Sequence, residues 1–233
     1  MRDVIKNSDL LASKGSLPSA WRVFFLLSSA LFLGSVYLQG QCPDNGQTKV
    51  IKPDQGTGYY FYRFLGDSSF RYFLDGKTFS FNDKDDPGRT FIFIDNMAYE
   101  SIQVERADLA KYVKSSKPID VLRAQAKNEQ DYFKKLDSSM VITDLGPAMR
   151  KNPDGSDDRL FYLWKKENSP GKKAATQYMC STLIKDGVVV LSLLLKPSVS
   201  EDDVFLQIQK YTSKFDLLSS NQCATVLSMP AAP

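Results

Sequence analysis

Three cysteines, several clustered carboxylates and a run of tyrosines are the residues of this 233-residue chain with chemistry to offer. The chain has no histidine. Its absence removes Ser–His and Cys–His nucleophilic pairs, imidazole acid–base catalysis, and zinc or haem held by histidine. The cysteines are Cys42, Cys180 and Cys223; their number is odd and no CxxC occurs, so a thiolate metal cluster is not expected. An extracytoplasmic setting allows one disulfide, Cys180–Cys223 or Cys42–Cys223. With all three thiols free, Cys180 reads instead as a small core residue of a strand.

Carboxylates group most densely in Asn82–Gly88 (NDKDDPG), where Asp83, Asp85 and Asp86 invite calcium. A twelve-residue calcium loop begun at Asp83 has Pro87 at its fifth position and Ile94 at its twelfth, where oxygen ligands are required. The stretch therefore reads as a solvated acidic turn. Asp154, Asp157 and Asp158 form a second acidic loop of the same kind. Carboxylates that work as acid and base need burial in a cleft, and these clusters lie in polar loops or at a helix start. Ser181 and Ser192 fall in strands without a GxSxG elbow, and neither GxGxxG nor GxxxxGK[ST] occurs. No catalytic set, metal site or cofactor is expected.

The aromatic run is harder to place. In a strand, Tyr59, Phe61 and Arg63 face one way, and Tyr60, Tyr62 and Phe64 the other. Either the sheet is covered on both faces, or Tyr59, Tyr60 and Tyr62 belong to a partner or membrane-proximal surface.

These residues need elements to hold them. Residues 41–57 read as a linker, rich in proline, glycine and polar residues. Tyr59–Leu65 and Phe70–Leu74 are β-favouring, and Asp75-Gly76 before Lys77–Phe81 signals a hairpin. Thr90–Asp95 and Tyr99–Glu105 are further strands. Pro118 opens a helix whose Leu122, Ala126, Glu129, Phe133 and Leu136 share a face and which ends near Asp137. Val141–Leu145 reads as a strand stopped by Gly146-Pro147, and Leu160–Lys165 as another. Thr176–Ile184 and Val188–Leu195 flank Lys185-Asp186-Gly187 as a hairpin. Its second arm is apolar enough for a central strand buried on both faces. Ser200 then caps a helix that begins with three acids and carries Val204, Ile208, Tyr211, Phe215 and Leu218. Residues 221–233 read as a flexible tail. The expected class is α+β: a largely antiparallel sheet packed with two amphipathic helices over residues 58–220.

The first forty residues set the address. Val23–Leu38 (VFFLLSSALFLGSVYL) is sixteen residues without a charge, about 24 Å as a helix. With its neighbours it approaches the roughly 30 Å of a bilayer core. Residues 1–22 carry four cations against two aspartates, which orients the N-terminus to the cytoplasm. A signal anchor over residues 23–40 is expected. The alternatives are a secretory signal cleaved near Gly40 and a lipoprotein lipidated at Cys42. Leu38 disfavours the cleavage, and Gln41 directly before Cys42 departs from the lipoprotein pattern. The net charge of +3 gives no case for nucleic acid.

The order of elements resembles the PsbP-type α/β/α fold, shared by photosystem II extrinsic proteins and DcrB-like bacterial envelope lipoproteins. Four stretches carry the resemblance: FRYFLDGKTFSF, SIQVE before the Pro118 helix, QYMCSTLIKDGVVVLSLLL, and VFLQIQKYTSKFDLL. It covers about Gly58 to Leu218. It implies a small non-enzymatic domain, secreted or membrane-tethered, that binds proteins; no functional residue carries over. The expectation is thus a single-pass, N-in protein of a bacterial-type envelope, tethered through Val23–Leu38 and presenting a binding or assembly module. The alternatives are a periplasmic subunit of a secretion apparatus, which predicts an exposed apolar patch, and a histidine-free hydrolase working through convergent carboxylates.

Overall fold

The computed structural model describes residues 41–82, 89–95, 97–151, 154–168, 176–194 and 199–232. The run Val23–Leu38 and the turn residues Asp83, Asp85 and Asp86 lie outside them. Among the described residues, no helix is long and apolar enough to cross a membrane.

Eleven strands and four helices are described. The chain opens with β1 (Asp44–Ile51), β2 (Tyr59–Leu65), β3 (Phe70–Leu74), β4 (Phe79–Asn82), β5 (Arg89–Ile94) and β6 (Met97–Glu105). The helices α1 (Arg106–Leu109) and α2 (Pro118–Leu136) follow, then β7 (Val141–Lys151), β8 (Asp157–Glu167), β9 (Thr176–Ile184) and β10 (Gly187–Leu194). The chain closes with α3 (Glu201–Ser213), β11 (Asp216–Leu217) and α4 (Ser220–Ser228). The class is α+β, as expected, but the strands form two antiparallel sheets rather than one. A four-stranded sheet runs β1-β2-β3-β11, and a seven-stranded sheet runs β4-β5-β6-β10-β9-β8-β7.

The apolar arm Val188–Leu194 becomes the middle strand of the larger sheet and is buried along nearly its whole length. Phe61, Tyr72, Ile92, Phe161 and Leu191 meet between the sheets, joined by Val204, Ile208 and Tyr211 of α3. The opposite face of the larger sheet packs Trp164, Met179 and Val190 under Leu122 and Ala126 of α2. The outer face of the smaller sheet packs Tyr62 and Phe64 under Cys223 and Val226 of α4. Both helix starts follow their sequence signals. Pro118 opens α2, and the Ser200 hydroxyl accepts from Asp203 N at 3.2 Å to cap α3.

Five local expectations change. The Ser200-capped helix does not carry Phe215 and Leu218: α3 ends at Ser213 and the chain passes into β11. Asp75-Gly76 is not a hairpin: β3 pairs with β2 and β11, whereas β4 pairs with β5, so this turn carries the chain between sheets. Its geometry comes from outside the turn. Thr57 Oγ1 and Lys210 Nζ donate to the Asp75 carboxylate, and the Asp95 carboxylate accepts from the backbone N–H groups of Lys77 and Thr78. Residues 41–57 are not only linker, because Asp44–Ile51 pairs along β2. The polar composition of that segment suits an edge strand with mainly Thr48 and Val50 turned inward. Residues 221–233 are not only tail. Ser219 and Gln222 form a capping box, and Cys223 and Val226, three apart, bury one side of α4. Finally, Gly146-Pro147 does not stop β7, since a register shift between Asp144 and Gly146 absorbs the interruption on this edge strand.

Candidate functional site

The cysteines are sorted by position. Cys42, just ahead of β1, is bonded to Cys223 on α4, with their Cα atoms 5.3 Å apart. Cys180 sits in β9, fully buried and unbonded, with its thiol pushed up by desolvation. The Cys180–Cys223 pairing is therefore corrected. Cys180 points into the space between the sheets, whereas Cys223 faces the outer side of the smaller sheet, a full layer away.

The tyrosines are likewise covered. Tyr59 and Tyr62 are buried and Tyr60 is half-buried, so they do not form a partner surface. Tyr59 donates its hydroxyl to Lys77 O at 2.8 Å and packs on Phe79. Tyr62 is roofed by α4, and the Tyr60 ring carries the Arg71 guanidinium 5.5 Å from its centre. Aromatic residues occur on both faces of β2 because both faces are packed.

The serines and the second acidic loop are engaged locally. Ser181 Oγ donates to Tyr162 O at 3.3 Å, and Ser192 Oγ accepts from the Gln177 amide. Asp154 accepts from Ser156 N and Oγ, which stabilises its charged form and lowers its pKa. Asp158 is held below the usual carboxylate range, first by its hydrogen bonds from Arg150. Arg150 Nη1 also donates to Phe215 O at 2.5 Å, just past α3, so edge strand β7 is tied to that end of the helix. Among the described residues, no group of three His, Cys, Asp or Glu side chains is placed to hold a metal ion.

Two carboxylates that motif reasoning did not single out do converge. Glu129 of α2 lies within electrostatic reach of Glu100 of β6. Desolvation raises the Glu129 carboxyl to about 7; the hydrogen bond with Gln125 lowers it and the charge of Glu100 raises it further. The residue keeps part of its surface, yet Oε2 is shut off from solvent and has no hydrogen-bond partner. A carboxyl raised to that range has the acidity of a general acid. Here Oε2 is buried without a partner, and Glu129 is not among the residues lining the clefts described below.

The open concavity lies at the start of α2. A cavity of about 420 Å³ is bounded by α1, the α1–α2 connection and the β9–β10 turn. Val113, Val121 and Leu183 form part of its floor, with Arg106, Lys114 and Ser116 at its mouth. Leu183 and Pro118 carry the surface on to a second cleft, of about 430 Å³, lined also by Met149, Arg159 and Leu160. Sequence reasoning missed this groove because its residues come from four separated segments and share no motif.

A third feature is an apolar row on the α2-bearing face of the larger sheet. Phe93 pairs across to Ala98, and Ala98 to Leu194. Phe93 is 50% exposed and Leu194 42%.

No family model and no curated protein sequence matches the chain. Among solved structures it is similar to the solution structure of cyanobacterial PsbP (CyanoP) from Synechocystis sp. PCC 6803. Sequence identity is 11%, the TM-score is 0.45, and the match covers 77% of this chain and 99% of that one. At this level of similarity it carries no argument about activity or partners.

Proposed function

We propose that this chain is an exported, non-catalytic binding or assembly module of a cell envelope, tethered through Val23–Leu38. The observation that supports the reading is the Cys42–Cys223 disulfide. Such bonds persist in oxidising compartments and are rare in the cytosol. This one joins the start of the folded domain, four residues past Leu38, to its last helix. An N-in anchor followed at once by an oxidised domain is consistent with the charge bias of residues 1–22. The convergent Glu100–Glu129 pair is read as structural, since Oε2 of Glu129 is buried. Protease treatment of intact spheroplasts tests the placement. The domain is expected to be digested from outside, leaving a membrane-bound N-terminal fragment. Protection of the domain, or a soluble mature protein beginning at Gln41, would count against the tethered reading.

A second reading, a subunit of a multiprotein secretion apparatus, draws on the exposed row Phe93–Ala98–Leu194. Site-specific photo-crosslinking from Phe93 distinguishes the two: a discrete envelope-complex adduct favours the subunit, and no adduct favours the isolated module.

A further inference from the structure

We infer that the groove at the start of α2 binds a single-chain amphiphile with an anionic head group. The cavity is of ligand size, about 420 Å³, against the roughly 300–1,000 Å³ of small-molecule sites. Its floor includes Val113, Val121 and Leu183, which pack against the core under α2 on one side and remain half-exposed on the other. Apolar surface turned into a concavity favours an apolar chain over water.

The mouth selects the head group. Among the described residues, neither Arg106 nor Lys114 has a carboxylate partner. The nearby acids are engaged elsewhere: Asp108 pairs with Lys111 at 2.5 Å, and Asp120 accepts from Ser115 Oγ at 2.8 Å. Lys185, also at the mouth, is paired with Asp67. Arg106 additionally borders a more polar cleft with Asp44, Glu105 and Asp186, which leaves Lys114 as the cation committed to the groove. The exposed Ser116 hydroxyl supplies a neutral donor beside it. The Lys114 ammonium, with the Arg106 guanidinium at the groove's edge and a hydroxyl beside it above an apolar floor, complements a carboxylate or phosphate carried on an alkyl chain. A neutral alcohol of the same length would forgo the charge-assisted contacts. The second cleft, past Leu183, gives the chain somewhere to extend. There Met149 and Leu160 are apolar, beside Asp158, Arg159 and Thr182.

The test uses the full chain in zwitterionic nanodiscs with a dodecanoate probe carrying a terminal diazirine. Photolysis and peptide mapping are expected to place the label within residues 109–121 or at Leu183. Dodecanoate and dodecyl phosphate should compete for it, and dodecanol should not. The double variant Arg106→Gln/Lys114→Gln should lose labelling at least tenfold, and Lys114→Arg should keep it, with thermal midpoints recorded to show that each variant folds. Nanodiscs containing lysophosphatidylglycerol, a single-chain anionic lipid, identify the source: competition by the bilayer assigns the head group to a lipid, and its absence to a free amphiphile, either of which upholds the anionic selectivity. Labelling elsewhere, equal competition by dodecanol, or a folded double variant that labels like the parent would overturn the inference.

Discussion

Glu129→Gln should stabilise the protein at neutral pH and leave it nearly unchanged in acid. The Glu129 carboxyl, ordinarily near 4.5, is held at about 7 in the folded protein. Desolvation leads, and Glu100 reinforces it. Glu100 comes from β6, Lys166 from β8 and Tyr112 from the α1–α2 connection; these are the charged or titratable neighbours coupled to this space. The folded state holds the proton more tightly than the unfolded chain, so the contribution to stability is complete below about 4.5. It is lost as pH rises toward about 7 and is flat above. The size follows from the interval, about 3 kcal/mol at about 1.4 kcal/mol per pH unit. Glutamine keeps the shape and cannot ionise. Urea unfolding at pH 4, 5.5, 7 and 8.5 measures the difference, with Trp164 as reporter because it is fully buried beneath α2 against Phe133. Parent and variant curves should converge at pH 4 and separate by about 2–3 kcal/mol at pH 8.5. Parallel curves across the range would refute the reasoning.

Other perturbations read different parts of the fold. Serine at both Cys42 and Cys223 opens a crosslink spanning a sequence separation of 181; chain entropy assigns such closure about 5 kcal/mol, so the urea midpoint should fall markedly, and an unchanged midpoint would mean that α4 is held by packing alone. Gln207→Ala removes two hydrogen bonds at 3.2 Å between α3 and the backbone of Asp75, for a loss of about 1–3 kcal/mol in chemical denaturation. Gly187→Ala drives a Cβ to 2.1 Å from Val104 O. Strands β10 and β6 must then part, a cost of about 1–3 kcal/mol or more that a thermal scan would register.

What was legible in the sequence was local and periodic. The unbroken apolar arm Val188–Leu194 marked the central strand because a strand covered on both faces admits no polar side. The Ser200 cap and the Pro118 start worked because each acts within one turn of its own helix. Asp75-Gly76 misled because a turn signal says that the chain reverses and is silent about which strand it then joins. That choice rests on Gln207, Lys210 and Asp95, which are remote in sequence. The strand at Asp44–Ile51 was hidden because an edge strand tolerates polar residues that read as loop. Tyr59, Tyr60 and Tyr62 posed a true alternative, resolved only by α4 and the second sheet closing over them. The disulfide could be narrowed to two pairings and no further, since which faces Cys42 and Cys180 occupy depends on the layer order. Glu129 was placed on the apolar face of its helix by spacing, but its meeting with Glu100 depends on sheet register.

The most direct measurement is the oxidation state of the cysteines in living cells. Cells are quenched in acid, and the denatured protein is alkylated with a mass-adding maleimide before and after reduction. An exported domain closed by Cys42–Cys223 predicts one reactive thiol, Cys180, before reduction and three after it. Three reactive thiols without reduction would contradict the placement outside the cytoplasm.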